Sequence, residues 1–212
     1  MKNSVIILLL FVSATAFSQH GLGFYEYDVD KFFRVGFNGG LNINKIQGKS
    51  FTNEFSYDYG VRGFMQFNFS RKFAIQPELG YSQQSAQQSN DYKDIWNEIS
   101  LSGDQLKVKL NYLKFGTMVN YNLGATSTRF KLQFGPQWGM LLSEKVDTIK
   151  TPQDIFKKGD FSLAAGIMFQ AFEVPSVHIG ARFEQGLTNI NAIDDRDKWK
   201  NQSFQLFLGL TF

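Results

Sequence analysis

The feature that most constrains this chain is an alternation of apolar and polar residues with a period of two, repeated in eight stretches from Phe33 to Phe212. Successive side chains leave a β-strand on opposite faces, so the alternation predicts strands with two different environments. In the first stretch Phe33, Val35, Phe37, Leu41 and Ile43 share one parity; Arg34, Gly36, Asn38, Gly40, Asn42 and Asn44 share the other. The second sets Tyr57, Tyr59, Val61, Met65, Phe67 and Phe69 against Gly60, Arg62, Gln66 and Asn68. Further stretches cover 73–82, 106–121, 130–142, 161–170, 177–187 and 204–212. In the fourth, the apolar parity runs through Leu106, Val108, Leu110 and Tyr112, then shifts to Leu113, Phe115, Val119 and Tyr121, which predicts a β-bulge at Tyr112 and Leu113. Pro77 and Pro136 each remove a ladder donor, so they are expected near strand ends or at bulges.

The connections alternate as well. Ser70 to Lys72, Gly124 to Thr128 and Glu173 to Ser176 are short; Lys45 to Ser56, Ser85 to Gln105, Ser143 to Gly159 and Asn191 to Gln202 are long and polar. Short turns at one end and long loops at the other are the pattern of outer-membrane barrels. The parity that lacks the large apolar residues carries Gly36, Gly40, Gly60, Gly80, Gly116, Gly135, Gly139, Gly166, Gly180, Gly186 and Gly209. Glycine weakens a solvated strand face, but inside an eight-stranded barrel it makes room for residues such as Arg62, Glu78 and Arg182. The phenylalanines are therefore expected to face lipid, against the alternative of a soluble barrel with the phenylalanines inside. The fold class expected is all-β, an eight-stranded antiparallel up-and-down transmembrane β-barrel.

The start of the chain reads as a targeting signal. Lys2 is followed by an apolar run from Val5 to Val12 and by small residues, with Ala16-Phe17-Ser18 before Gln19 as a cleavage site. The run falls short of the roughly 20 residues that a spanning helix needs. The expected organisation is a signal peptide at 1–18, a periplasmic segment at 19–32 and the outer-membrane domain at 33–212. The chain has no cysteine, so lipid attachment, disulfides and thiolate sites are excluded, and a net charge of only +3 argues against nucleic acid as a partner.

Several strings resemble a known family. Gln76-Pro77-Glu78-Leu79-Gly80-Tyr81-Ser82, Tyr112-Leu113-Lys114, Gly135-Pro136 leading to Leu141-Leu142-Ser143, Gly186-Leu187-Thr188-Asn189-Ile190 and the terminal Phe212 are similar to the PorT-type outer-membrane β-barrel proteins of the Bacteroidetes. Phe115-Gly116-Thr117 departs from the family, which usually has an apolar residue and a proline after an acidic one. The resemblance covers essentially the whole mature chain and implies a fold and a membrane, but no activity. A last strand ending on an aromatic residue, here Phe204 to Phe212, resembles the signal read by the outer-membrane insertion machinery.

Chemistry-bearing residues are few. Of two histidines, His20 lies beside the cleavage site, and His178 shares an inward face with Arg182 and Glu184. With Ser162 as nucleophile, His178 would suggest a lipid-acting hydrolase; the plainer expectation is a polar network inside the barrel, with no enzyme activity. Neither metal-ligand spacing nor a phosphate-binding glycine loop is present, so no cofactor is expected. Inward charges at Arg34, Arg62, Glu78, Lys114, Arg129, Lys131, Arg182 and Glu184 raise a small gated pore as an alternative. An eight-stranded lumen is just wide enough for side chains, so Glu78 and Glu184 are expected to pair with arginines across it. Ile95, Trp96 and Ile99 would share one face of a short helix between Asp91 and Ser102, either binding a partner or folded over the rim. The expected partners are outer-membrane lipids, the insertion machinery and a protein met through the long loops.

Overall fold

A computed structural model describes residues 32–70, 72–89, 106–123, 130–146, 155–170, 176–193 and 195–212. The signal segment, His20, Arg129 and the expected helix between Asp91 and Ser102 lie outside the described residues. Eight strands form: β1 (Phe33–Gln47), β2 (Ser56–Asn68), β3 (Phe73–Gln87), β4 (Lys107–Asn122), β5 (Phe130–Val146), β6 (Gly159–Gln170), β7 (Ser176–Gly186) and β8 (Lys200–Thr211). Each pairs antiparallel with the next, and β1 pairs with β8, so the sheet closes into a barrel. No helix of the described residues is long and apolar enough to cross a membrane. Closure matters because a peptide group left unpaired in hydrocarbon costs several kcal/mol.

The apolar parity faces outward. Phe37, Leu41, Val61, Leu79, Phe134, Ile179, Leu206 and Leu208 are all exposed, Phe134 by 56% and Leu208 by 59% of its surface. The opposite parity is buried: Asn42, Gln76, Glu78, Gln133, Arg182 and Gln205 are each at most 5% exposed. On β4, β5 and β8 the outward apolar run spans nine to thirteen residues, from Leu113 to Tyr121, Phe130 to Leu142 and Phe204 to Phe212. At about 3.3 Å per residue and a tilt near 40°, that makes a band roughly 20–30 Å tall, bracketing the usual outer-membrane thickness.

Aromatic rings collect at both edges of the band. At the short-turn end Phe33 packs on Phe67 at 5.3 Å, Phe73 on Tyr121 at 5.0 Å and Phe130 on Phe169 at 4.9 Å. Toward the long-loop end Tyr59 meets Tyr81 at 5.9 Å and Trp138 meets Phe161 at 6.5 Å. Girdles of aromatic residues flank the apolar band of outer-membrane barrels at both interfaces, and Tyr59, Tyr81, Tyr121 and Trp138 add a polar tip that suits the boundary with water. These girdles mark where the membrane ends.

Three expectations are corrected. The bulge lies on β5 and not on β4: Asn111 pairs with Ser143 but Tyr112 with Leu141, so Leu142 is the extra residue. β4 keeps one parity throughout, with Val108, Leu110, Tyr112 and Lys114 all buried. The shift in its apolar pattern is a real change of environment, because above the band the interior is apolar and the outer wall polar. Second, neither proline sits at a strand end or a bulge. Around Pro77 the β2–β3 ladder lapses between the pairs Phe64–Glu78 and Phe67–Ile75, and around Pro136 the β4–β5 ladder lapses between Gly116–Gln137 and Val119–Phe134. The register is the same on both sides of each gap. The barrel therefore absorbs a missing donor without inserting a residue. Third, the strands run further toward the long-loop end than the sequence suggests, with β1 reaching Gln47 and β3 reaching Gln87.

With this facing, Phe134→Arg should cost about 2–4 kcal/mol in unfolding from lipid vesicles, as a cation near the bilayer midplane does. The lumenal change Gln133→Asn should cost about 1 kcal/mol, the scale of a shifted hydrogen bond.

Candidate functional site

The interior is built in layers, each set by which inward residues the closed register brings opposite one another. At mid-barrel Arg182 of β7 reaches across to Glu78 of β3 in a two-pronged ion pair, Nη1 to Oε1 at 2.5 Å and Nη2 to Oε2 at 3.2 Å. Gln137 Nε2 also donates to Glu78 Oε1 at 2.9 Å, and Arg182 Nη2 donates to Gln133 Oε1 at 3.2 Å. From there Gln133 donates to Asn120 at 3.0 Å, and Asn120 to Gln76 at 2.8 Å. A second centre surrounds Glu184. Lys114 forms a buried ion pair with it, Ser162 Oγ donates to it at 2.6 Å, and Gln205 Nε2 donates at 3.1 Å. Arg62 in turn donates to Gln205, linking the second centre to β2.

The expected arginine partner is thus present for Glu78, while Glu184 is paired with a lysine. The difference is one of reach. Lys114 points inward from β4 toward Glu184, and Arg182, two residues before Glu184 on the same face, is already committed to Glu78.

Glycines open the space for this packing. A Cβ at Gly80 would collide with the Arg62 side chain, and one at Gly166 would crowd Arg182. Two other glycines serve residues that sequence reasoning missed. Gly36 and Gly180 lie against the rings of Phe64 and Phe207, two phenylalanines on the largely polar inward parity. These rings flank His178, with centroids 5.8 and 6.3 Å away. His178 Nδ1 lies 3.3 Å from Thr211 Oγ1. Ser162 pairs across from Gly186 and His178 across from Gln170, eight residues apart along β7. That is roughly 26 Å along the strand, so the structure does not bring the considered serine and histidine together.

Toward the long-loop end the polar network continues and then gives way to an apolar cap. Asp58 accepts from Asn44 at 3.1 Å and Ser85 at 2.8 Å; Asp160 accepts from Asn201 at 2.8 Å and Thr188 at 3.0 Å. Above them Ile46, Val108, Leu110, Val146, Ile155 and Ile190 pack with Phe51, Phe156 and Trp199. Trp199 meets Phe51 edge-on at 5.0 Å and Phe156 at 5.3 Å. Hydrogen bonds pin the loops that carry these rings. Asp197 accepts from Lys49 N–H at 3.0 Å, Ser50 N–H at 2.9 Å, Ser50 Oγ at 2.7 Å and Trp199 Nε1 at 2.9 Å. Burial pushes the Asp197 carboxyl up, but those donors outweigh it and hold its pKa below the usual carboxylate range. Glu144 accepts from Ile155 N–H at 3.0 Å and Phe156 N–H at 3.1 Å, closing the opposite side. The signal for this cap was present in the sequence as isolated aromatics, Phe51, Phe156 and Trp199, within polar loops.

A closed eight-stranded barrel with an apolar outer band, aromatic girdles and a charged, packed interior is a transmembrane β-barrel of the outer-membrane class. A family model for the outer membrane protein beta-barrel domain matches residues 17–192, and the chain belongs to that family. No curated protein matches the chain by sequence. Among solved structures it is similar to Ail, the attachment invasion locus protein of Yersinia pestis, crystallised with the heparin analogue sucrose octasulfate, at 12% identity over 85% of this chain and 99% of that one, with a TM-score of 0.47. It is also similar to Neisserial surface protein A, at 10% identity over 86% and 98% with a TM-score of 0.49. AlkL in lipid bilayers is a third, at 11% identity over 91% and 96% with a TM-score of 0.41. The protein resides in the outer membrane.

Because the Arg182–Glu78 pair is desolvated, removing either partner strands a charge. Glu78→Gln and Arg182→Met should each lower stability by about 3–5 kcal/mol. The double variant should lose clearly less than the sum, as read by a double-mutant cycle on denaturant unfolding.

Proposed function

We propose that this protein is a non-enzymatic outer-membrane barrel whose long-loop end faces outward and mediates interactions. The observation that carries the reading is the combination of a lumen occupied by the Arg182–Glu78 and Lys114–Glu184 pairs with a hydrogen-bonded cap over its long-loop end. Such a body is a rigid pedestal for loops rather than a conduit. Loops carry recognition when a rigid scaffold positions them, and long loops face outward in outer-membrane barrels. The separation of Ser162 from His178 supports the absence of hydrolase chemistry.

The apolar run after Lys2 supports export through a signal peptide. A PorT-type affiliation is supported by the strings around Pro77 and Pro136, whose glutamate and glutamines form the mid-barrel network. Phe204 to Phe212 supports recognition of the last strand by the insertion machinery.

The competing reading is a small gated pore. Purified, folded protein in planar bilayers should give no unitary current steps across the accessible voltage range. Discrete steps that vanish on heat unfolding would overturn the closed-barrel reading in favour of the pore.

A further inference from the structure

Above the girdle on the long-loop side, the outward parity changes from apolar to basic. On β4 the outward residues run Phe115, Leu113, Asn111, Lys109 and Lys107 toward the long-loop end; on β5 they run Trp138, Met140, Leu142, Ser143 and Lys145. Lys109 and Lys145 are directly opposite each other in the β4–β5 ladder, and Lys107 follows Lys109 on the same face. Like charges facing each other across a strand pair are destabilising. Among the described residues no carboxylate relieves them. Glu144, the nearest on β5, is turned toward the interior and accepts from Ile155 and Phe156.

The depth of this group is set by its neighbours. Just below it, Asn111 accepts from Tyr81 Oη at 2.8 Å and Gln83 Nε2 at 3.1 Å and donates to Ser143 Oγ at 2.8 Å. This satisfied polar row closes the hydrocarbon band. Lys109 lies four residues beyond Leu113, roughly 13 Å along the strand and about 10 Å along the membrane normal once tilt is included. That is the headgroup layer. The three side chains leave the outer wall in the same direction as the lipid-facing residues beneath them, which puts them beside the headgroups of the surrounding lipid.

We infer that Lys107, Lys109 and Lys145 form a binding ledge for the phosphate groups of lipids in the outward-facing leaflet. Three lysine side chains leave neighbouring positions of the same wall there, with no counter-charge among the described residues, and a phosphate resting between Lys109 and Lys145 would remove their mutual repulsion. Lysine is a flexible point charge suited to phosphate, and each lysine near an anionic surface strengthens attachment roughly fivefold. The inference rests on the membrane placement and on the long-loop end facing outward.

Native mass spectrometry of the detergent-solubilised, folded full chain tests it. The probes are an acylated glucosamine disaccharide bearing two phosphates, the same lipid with its phosphates removed, and soluble inorganic pyrophosphate. The bisphosphorylated lipid should be retained on the order of tenfold or more over its dephosphorylated form. The preference should disappear in the triple variant Lys107→Gln, Lys109→Gln, Lys145→Gln. It should persist in Lys72→Gln, Lys157→Gln, Lys198→Gln, which makes the same change in net charge elsewhere. Equal retention of the two lipids, or equal loss in both triple variants, would overturn the ledge. Binding of pyrophosphate with this lysine dependence, without lipid retention, would overturn it too and assign the site to a soluble anion. Heat-modifiable gel migration shows that each variant is folded, and a negative result with folded barrels leaves the closed-lumen reading to the conductance test.

Discussion

A polypeptide in hydrocarbon has no water to satisfy its peptide groups, and this one requirement organises the rest of the structure. Eight strands satisfy it by closing β1 on β8, so that no edge faces lipid. Closure divides every strand into two faces and fixes a narrow interior. The outer face must be apolar because it replaces lipid–lipid contacts. The inner face must fill a space too small for bulk water yet lined with polar backbone, and glycine beside long polar side chains does this. Even the prolines conform. Pro77 and Pro136 interrupt a ladder on one side while keeping the pairs Pro77–Thr117 and Pro136–Leu163 on the other.

The interior charges are stable only as a set. Glu78 and Arg182 are each buried almost completely, and desolvating such groups is offset only when geometry and additional hydrogen bonds are good. Gln137 and Gln133 supply those bonds here. The hydrogen-bonded set around Glu78 and the one around Glu184 together tie β2 through β8 across the lumen. Above the hydrocarbon the constraint relaxes and the polarity inverts. The outer wall becomes polar at headgroup depth, where it carries Lys107, Lys109 and Lys145, and the interior turns apolar around Trp199. One strand, β4, records the inversion within its own sequence.

The strands, their order and their facing were legible because period-two alternation survives wherever lipid lies on one side and a packed lumen on the other. The same rule misled at Tyr112, where a change of surroundings imitates a one-residue slip. The real slip, at Leu142, left no trace because Leu142 and Ser143 both suit the outer wall near the band's edge. Phe64 and Phe207 escaped notice for a related reason: a phenylalanine on the polar parity looks like noise until the glycines that admit its ring, Gly36 and Gly180, are seen opposite. Partner choice inside the lumen was only half legible. Parity says that Glu184 points inward, but tilt and stagger decide that Lys114 reaches it. The cap was least legible, since Asp197 gathers donors from Lys49 and Ser50, almost 150 residues away in sequence.

The facing of the strands can be measured directly, because a chain without cysteine accepts a single spin label at any chosen position. Labels placed singly from Phe204 to Leu210 on β8 in reconstituted bilayers should show oxygen accessibility alternating at every residue, high at Phe204, Leu206, Leu208 and Leu210 and low at Gln205, Phe207 and Gly209. Maxima on the other parity, or no alternation at all, would contradict a lipid-facing apolar wall around a packed centre.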